Sequence, residues 1–189
     1  MFGPDADWWH NAVVSKWHSS WYVYAEGYRR AADALAEVAA ADRGENDALV
    51  YPIVFLYRQY LELSFKGMLR DAAFAAGAEP PGIASHSLPK VWATLQPLLK
   101  DALDQDLKAV EWQILTNCVD QFAKSDPTSQ TFRYPVQKDG APADHVTTHI
   151  NLRQLRDEMA NAHLVIDCIW NYLVVRGDLR QEMLDAGMP

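Results

Sequence analysis

The chain has 189 residues, 49% of them hydrophobic and 11% aromatic, and a formal net charge of −8. That length and composition suit one domain over residues 1–189 around one core, and they exclude disorder, which goes with low apolar content. The negative charge excludes a generic nucleic-acid coat, which needs a positive surface to release counterions, so any RNA or nucleotide contact must be a local cluster of arginines.

In chain order, the segment Trp8 to Ala41 comes first, with apolar residues at Val13, Trp17, Trp21, Tyr24, Tyr28, Ala32, Leu35 and Ala39. These steps of three and four mark one helix face, which Ser19-Ser20 can divide in two. The polar run from Asp42 to Asp47 holds Gly44 and predicts a turn. A second helix follows from Ala48 to Ala76, with Pro52 near its start and a buried stripe of Val50, Val54, Tyr57, Leu61, Ser64 and Met68. Gly77 and Pro80-Pro81-Gly82 end it. A third helix opens at Ser87, suited to cap it, and runs through Trp92 and Leu95 towards Leu103, with Pro97 able to kink it. A fourth covers Asp104 to Lys124, with Leu107, Val110, Ile114, Leu115 and Val119 facing inward.

The pattern then changes. Residues 125–149 contain three prolines, a Lys138-Asp139-Gly140 turn and β-branched Val146, Thr147 and Thr148. Thr131–Val136 and Val146–Ile150 can pair as a short hairpin, and a loop insert of this length in a helical domain suggests function. The last long helix begins at Asn151, a capping residue with Gln154 three positions on. Leu152, Leu155, Met159, Ala162, Ile166, Ile169 and Leu173 follow a 3-4 rhythm, the seam of a bundle or of a helix-mediated homodimer. Gly177 is expected to end it, with a short helix to Ala186 after it. The fold expected is therefore all-α, an antiparallel bundle of long helices with a hairpin or loop insert before the last.

The longest apolar run, Leu49 to Tyr57, is nine residues and holds a proline, too short to span a bilayer. The start, MFGPDADWWHN, lacks the basic and apolar regions of a signal peptide. Cys118 and Cys168 have no metal-type spacing and read as buried free thiols of a reducing compartment, so a cytoplasmic location is expected. P-loop, dinucleotide-glycine, G-x-S-x-G and Cys–His nucleophile motifs are lacking, and no cofactor is expected.

Four groups can carry chemistry. Arg58, Glu62, Lys66 and Arg70 stand four apart along one line of the second helix, either a solvated ladder of ion pairs or a strip facing phosphate. Arg156, Asp157 and His163 lie on the last helix, with arginine and histidine seven apart, two turns, and so on one side of it. Arg153 sits in its first turn. Phe132-Arg133-Tyr134-Pro135 sets an arginine between two rings, which can stack a base or pack its aromatics onto the domain. His145-x3-His149 has a zinc-like spacing, but Val146-Thr147-Thr148 between them disfavours helix and Asp144 is the only further ligand nearby, so no metal site is expected. The tryptophans Trp8, Trp9, Trp17 and Trp21 read as core packing or as a partner surface.

Glu62-x3-Lys66-x2-Leu69 on one helix and His86-x-Leu88-x3-Trp92 at the start of the next resemble a pattern of the HEPN superfamily of nucleotide- and RNA-handling helical proteins. There E-x3-K-x2-L is followed by H-x-L-x2-L, and here Trp92 takes the last apolar place one residue late. The resemblance covers about residues 48–100. It implies that Arg156, Asp157 and His163 correspond to the R-x4–6-H motif of metal-independent endoribonucleases, many from prokaryotic toxin–antitoxin or defence systems. His163 would move the proton of an attacking 2′-hydroxyl, Arg156 would hold the phosphate, Asp157 would orient, and Arg133 or Arg153 would aid substrate. Such nucleases pair two motifs across a homodimer. The alternatives are a non-catalytic module using Arg58, Glu62, Lys66 and His86 to bind nucleotide or a nucleotidyltransferase or antitoxin partner, and a helical dimerisation protein.

Overall fold

A computed structural model describes residues 8–14, 20–82, 84–103, 107–127, 129–137 and 139–187. It is all-α, with five α-helices among the described residues: α1 (Trp21–Ala41), α2 (Asn46–Ala76), α3 (Leu88–Ala102), α4 (Ala109–Ser125) and α5 (Leu152–Asp185). No helix is long and apolar enough to cross a membrane among the described residues.

The first helix starts at Trp21 rather than at Trp8, because Ser20 Oγ accepts from the Val23 amide at 3.1 Å and caps it there. Trp17 and Ser19 lie outside the described residues. Within α1 the expected stripe faces inward except at Tyr24: Ala32 and Ala39 are buried with Ala25 and Ala36, Trp21, Tyr28 and Leu35 pack against the core half-buried, and Tyr24 is exposed. Small side chains let α1 approach α2 closely, with Trp21 and Tyr28 half-buried against the core beside them. Val13 and Trp9 are 76% and 78% exposed, so core packing does not hold for them.

Helix α2 is the hub, packed against α1, α3 and α5. From Ile53 to Ala73 it is buried almost all round, as a central helix must be. Pro52 lies in its second turn. Gly77, at φ 73°, ends it in a left-handed turn in which the Ala78 amide donates to Ala73 O at 2.9 Å and the Gly77 amide to Phe74 O at 3.0 Å. Ser87 takes the position before α3, but its side chain makes no capping bond. Helix α4 is described from Ala109, Asp104 lying outside the described residues, and Val110 faces outward at 59% exposure.

The insert is a loop. Among its described residues the one β-feature is an isolated bridge between Val136 and Pro142, so the pairing of Thr131–Val136 with Val146–Ile150 does not form. Asp126 explains this, since its Oδ1 accepts the amides of Gln130 and Thr131 at 2.9 and 3.0 Å and draws the chain into turns at 131–133. Lys138 lies outside the described residues.

Asn151 caps α5 through Oδ1 to the Gln154 amide at 3.1 Å. The helix does not stop at Gly177. That glycine is buried inside it, where a Cβ would stand 3.5 Å from the Phe74 ring of α2, an ordinary van der Waals contact, and α5 runs unbroken to Asp185. Met159, Ala162, Ile166, Ile169 and Leu173 are buried against the rest of the bundle, so the expected dimer seam faces α1, α2 and α4 of its own chain.

Candidate functional site

The line along α2 is not a solvated ladder. Arg58, Glu62 and Lys66 are 2%, 2% and 5% exposed, and only Arg70 at its end reaches solvent, pairing with Asp71 at 3.1 Å. Glu62 is the shared acceptor: Oε2 takes Arg58 Nη1 at 3.2 Å, and Oε1 takes Lys66 Nζ and His86 Nδ1, both at 2.8 Å. Burial pushes the Glu62 carboxyl up, but the hydrogen bonds from Lys66 and His86 outweigh it and hold the group below the ordinary carboxylate value. A carboxylate bonded to Nδ1 selects the tautomer with its proton there, and the His86 side chain is itself 77% exposed.

Arg58 extends this network to two loops. Nη2 donates to the His86 carbonyl at 3.0 Å and Nη1 to Ser129 Oγ at 2.6 Å. Its Nε and Asp126 Oδ2, which lack hydrogen-bond partners, face each other as an ion pair at 3.5 Å. One guanidinium therefore ties α2 to the segment before α3 and to the start of the insert. Asp126 and Ser129 could not be read as members from sequence: they stand far from the helical ladder along the chain and belong to no periodic pattern.

Arg153, Arg156 and Asp157 do come together. They line one groove of about 570 Å³ at the junction of α5 and the end of α1, with His149 and Asn151 at its edge and Ala36, Ala39 and Ala40 as its wall. Arg156 Nη2 donates to Glu37 Oε1 at 2.8 Å, a pair whose side chains are 41% and 63% exposed. His163 is not in this groove. Its Nδ1 bonds Tyr60 Oη at 3.1 Å in a crevice closed by Tyr22, Ala25, Glu26 and Trp170, which leaves no volume for a water molecule. Burial raises the Tyr60 hydroxyl, so the phenol is a stable partner for that ring.

In the insert, Phe132 is buried against Tyr51 and His145, with ring centroids 6.3 and 5.3 Å away. Arg133 is exposed and lies over the rings of Phe55 and Tyr134 at 5.2 and 5.4 Å. The segment thus packs its aromatics onto the domain, and Arg133 lines neither the groove nor the crevice. His145 serves this ring cluster while His149 Nδ1 meets Thr148 Oγ1 at 3.0 Å, and the two are not on one helix face. Among the described residues no group of three His, Cys, Asp or Glu side chains is placed to hold a metal ion. Cys118 is buried, whereas Cys168 is exposed, contrary to expectation.

No family model matches this chain, and no curated protein or solved structure matches it either.

Proposed function

We propose that the chain is a HEPN-like module that binds RNA or a nucleotide by its phosphates, in the groove at the α1–α5 junction, without cleaving it. The observation that carries this reading is the meeting of Arg153 and Arg156 with His149 in one groove, while His163 stands in a separate, filled crevice. In a chain of net charge −8, Arg153 and Arg156 bring two cations to this groove, against the carboxylates of Asp157 in its lining and Glu37 beside it, and supply the arginines that phosphate contact requires. The first amides of α5 add the positive end of a helix. Glu37 competes for Arg156, but an exposed ion pair is worth about 0–1 kcal/mol and yields readily to a phosphate, which arginine holds by two parallel bonds.

Cleavage asks for an imidazole beside the bound phosphate. The His163 imidazole is bonded to Tyr60 away from the groove, and the His149 imidazole at the groove's edge is bonded through Nδ1 to Thr148 Oγ1, so binding is better supported than catalysis. The buried network of Arg58, Glu62 and Lys66 then acts as scaffold, holding the insert and His86 in place rather than touching ligand.

The test is fluorescence anisotropy of a labelled single-stranded RNA and of a labelled nucleotide, with wild type and the Arg153→Ala/Arg156→Ala double variant. Charge-assisted contacts worth roughly 1.5–3 kcal/mol each make the expected loss tenfold or more, with a shallower salt dependence. Equal binding by both proteins overturns the groove. Cleavage of RNA in EDTA that disappears in His163→Ala overturns the non-catalytic reading in favour of an endoribonuclease.

A further inference from the structure

A second cavity, of about 370 Å³, lies on the other flank of α5, between that helix and α4. Its floor is apolar, made by Val54, Phe122, Ile150, Leu155 and Met159 together with the Cys118 thiol. The volume is within the range of pockets that take small organic ligands, and the mix of an apolar floor with a few polar groups is what such pockets show. Burial, with Glu158 adding to it, pushes the Cys118 thiol up to about 12, as a dry floor beside a carboxylate should. A hydrogen bond of 3.2 Å between Ser125 Oγ and Thr147 Oγ1 holds the end of the insert to α4 at the rim.

Two charged side chains line this cavity, Glu158 from α5 and Lys124 from α4. Among the described residues neither takes part in an ion pair or a side-chain hydrogen bond, so an acceptor and a donor of full charge are both uncommitted there. Gln121 and Gln154 supply amides that can both give and accept. A ligand that satisfies the set is flat, apolar on its faces, and carries adjacent N–H donors next to a carbonyl along one edge. The guanine base has that edge: two neighbouring N–H groups for the carboxylate, in the parallel arrangement that carboxylates accept best, and a carbonyl oxygen for the ammonium. Adenine presents a bare ring nitrogen where guanine has the first of those N–H groups, and it has no carbonyl.

We infer that the cavity between α4 and α5 is a base-binding pocket selective for guanine, with Glu158 reading the N–H edge and Lys124 the carbonyl. This choice of ligand class rests on the nucleotide-binding reading above, but the charged groups differ: Glu158 and Lys124 face the cavity and Arg153, Arg156 and Asp157 the groove, with His149, Ile150 and Asn151 forming the border the two share.

Calorimetric titration with guanosine, inosine and adenosine, none of which carries a phosphate, tests the pocket apart from the groove. Guanosine should bind, inosine, which lacks the exocyclic amine, should bind less well, and adenosine should bind about tenfold or more weakly than guanosine. Glu158→Gln should weaken guanosine by about tenfold or more, since it loses a charged acceptor. Gln154→Trp, a change at an exposed rim position, should block the cavity without disturbing the core, and it keeps the test sound if Glu158→Gln does not fold. Guanosine binding retained in the Arg153→Ala/Arg156→Ala variant supports a separate pocket whether or not RNA binding is lost. The inference is overturned if guanosine does not bind wild type at millimolar concentration, if adenosine binds equally, or if Gln154→Trp leaves guanosine binding unchanged. In the first case RNA binding by the wild type would leave the groove standing on its own.

Discussion

Replacing Glu62 by alanine removes the one acceptor that Arg58, Lys66 and His86 share. Before the change, two buried cations face two buried carboxylates, Glu62 and Asp126; afterwards Arg58, 2% exposed, keeps Asp126, Ser129 and the His86 carbonyl, whereas Lys66, 5% exposed, loses its carboxylate. Water cannot compensate at that burial, and truncating one partner of such a set costs about 3–5 kcal/mol. For a domain of this size each kcal/mol lowers Tm by about 2–4 °C, so a fall of roughly 6–20 °C is expected. Urea and thermal unfolding followed by circular dichroism at 222 nm measure it. The triple variant Arg58→Met/Glu62→Leu/Lys66→Met removes the stranded cations as well and should fall less than Glu62→Ala, though Asp126 then loses its partner. If Glu62→Ala unfolds within about 1 kcal/mol of wild type, the network is not the buried clamp described above and the reasoning fails.

Acid should act through the same carboxyl. Because its folded value lies below the ordinary 4.5, its contribution to stability is in place above about that pH and is lost as pH falls through the lower, folded value. Urea midpoints from pH 6 to 3 should therefore drop most steeply below 4.5 in wild type, and Glu62→Gln should flatten that limb; an unchanged profile in the variant refutes the assignment. Gly67 is a contact of another kind. A Cβ there would stand 2.5 Å from Trp170 Cζ2 and 2.7 Å from Trp21 Cβ, so Gly67→Ala should cost about 1–3 kcal/mol in urea unfolding and push α1 and α5 off α2. Iodoacetamide at pH 8 should modify Cys168 in the folded protein and spare Cys118, and peptide mapping showing both alkylated at one rate would refute that.

The helices were legible because their causes are local. Apolar spacing, Asn151 as a cap and Gly77 as a stop are read along one stretch of sequence, and the structure realises all three. What failed depends on partners distant in the chain. The stripe of α1 has the right period and faces inward except at Tyr24, where how closely α2 approaches puts Ala25 in the core instead. Gly177 resembles a helix end until Phe74, more than a hundred positions earlier, is known to lie against it. The ladder on α2 was visible as a line of charges, yet its members' partners, Asp126 and Ser129 for Arg58 and His86 for Glu62, lie far along the chain. Helical spacing also placed Arg156 and His163 on one side of α5, and it did not reveal what covers that side.

The cover is α1. Its last turns, Ala36 to Ala40, meet the start of α5, and its first turns, Tyr22 to Glu26, meet the stretch around His163, so the two helices run antiparallel along the line that holds both residues. At the Arg156 end the alanine wall leaves a groove; at the His163 end Tyr22, Trp170 and Tyr60 fill the space. Access along one helix face thus differs because of the side chains opposite it, and open space remains at the Arg156 end. On the phosphate-binding proposal, Glu37 would compete with phosphate for Arg156. Glu37→Ala should tighten RNA binding by up to about fivefold, the equivalent of the 0–1 kcal/mol an exposed pair is worth, whereas Tyr60→Phe, which frees the imidazole of His163, should leave it unchanged. Anisotropy titrations at one fixed salt concentration decide this, and weaker binding by Glu37→Ala, or altered binding by Tyr60→Phe, would show that ligand does not sit where α1 leaves room for it.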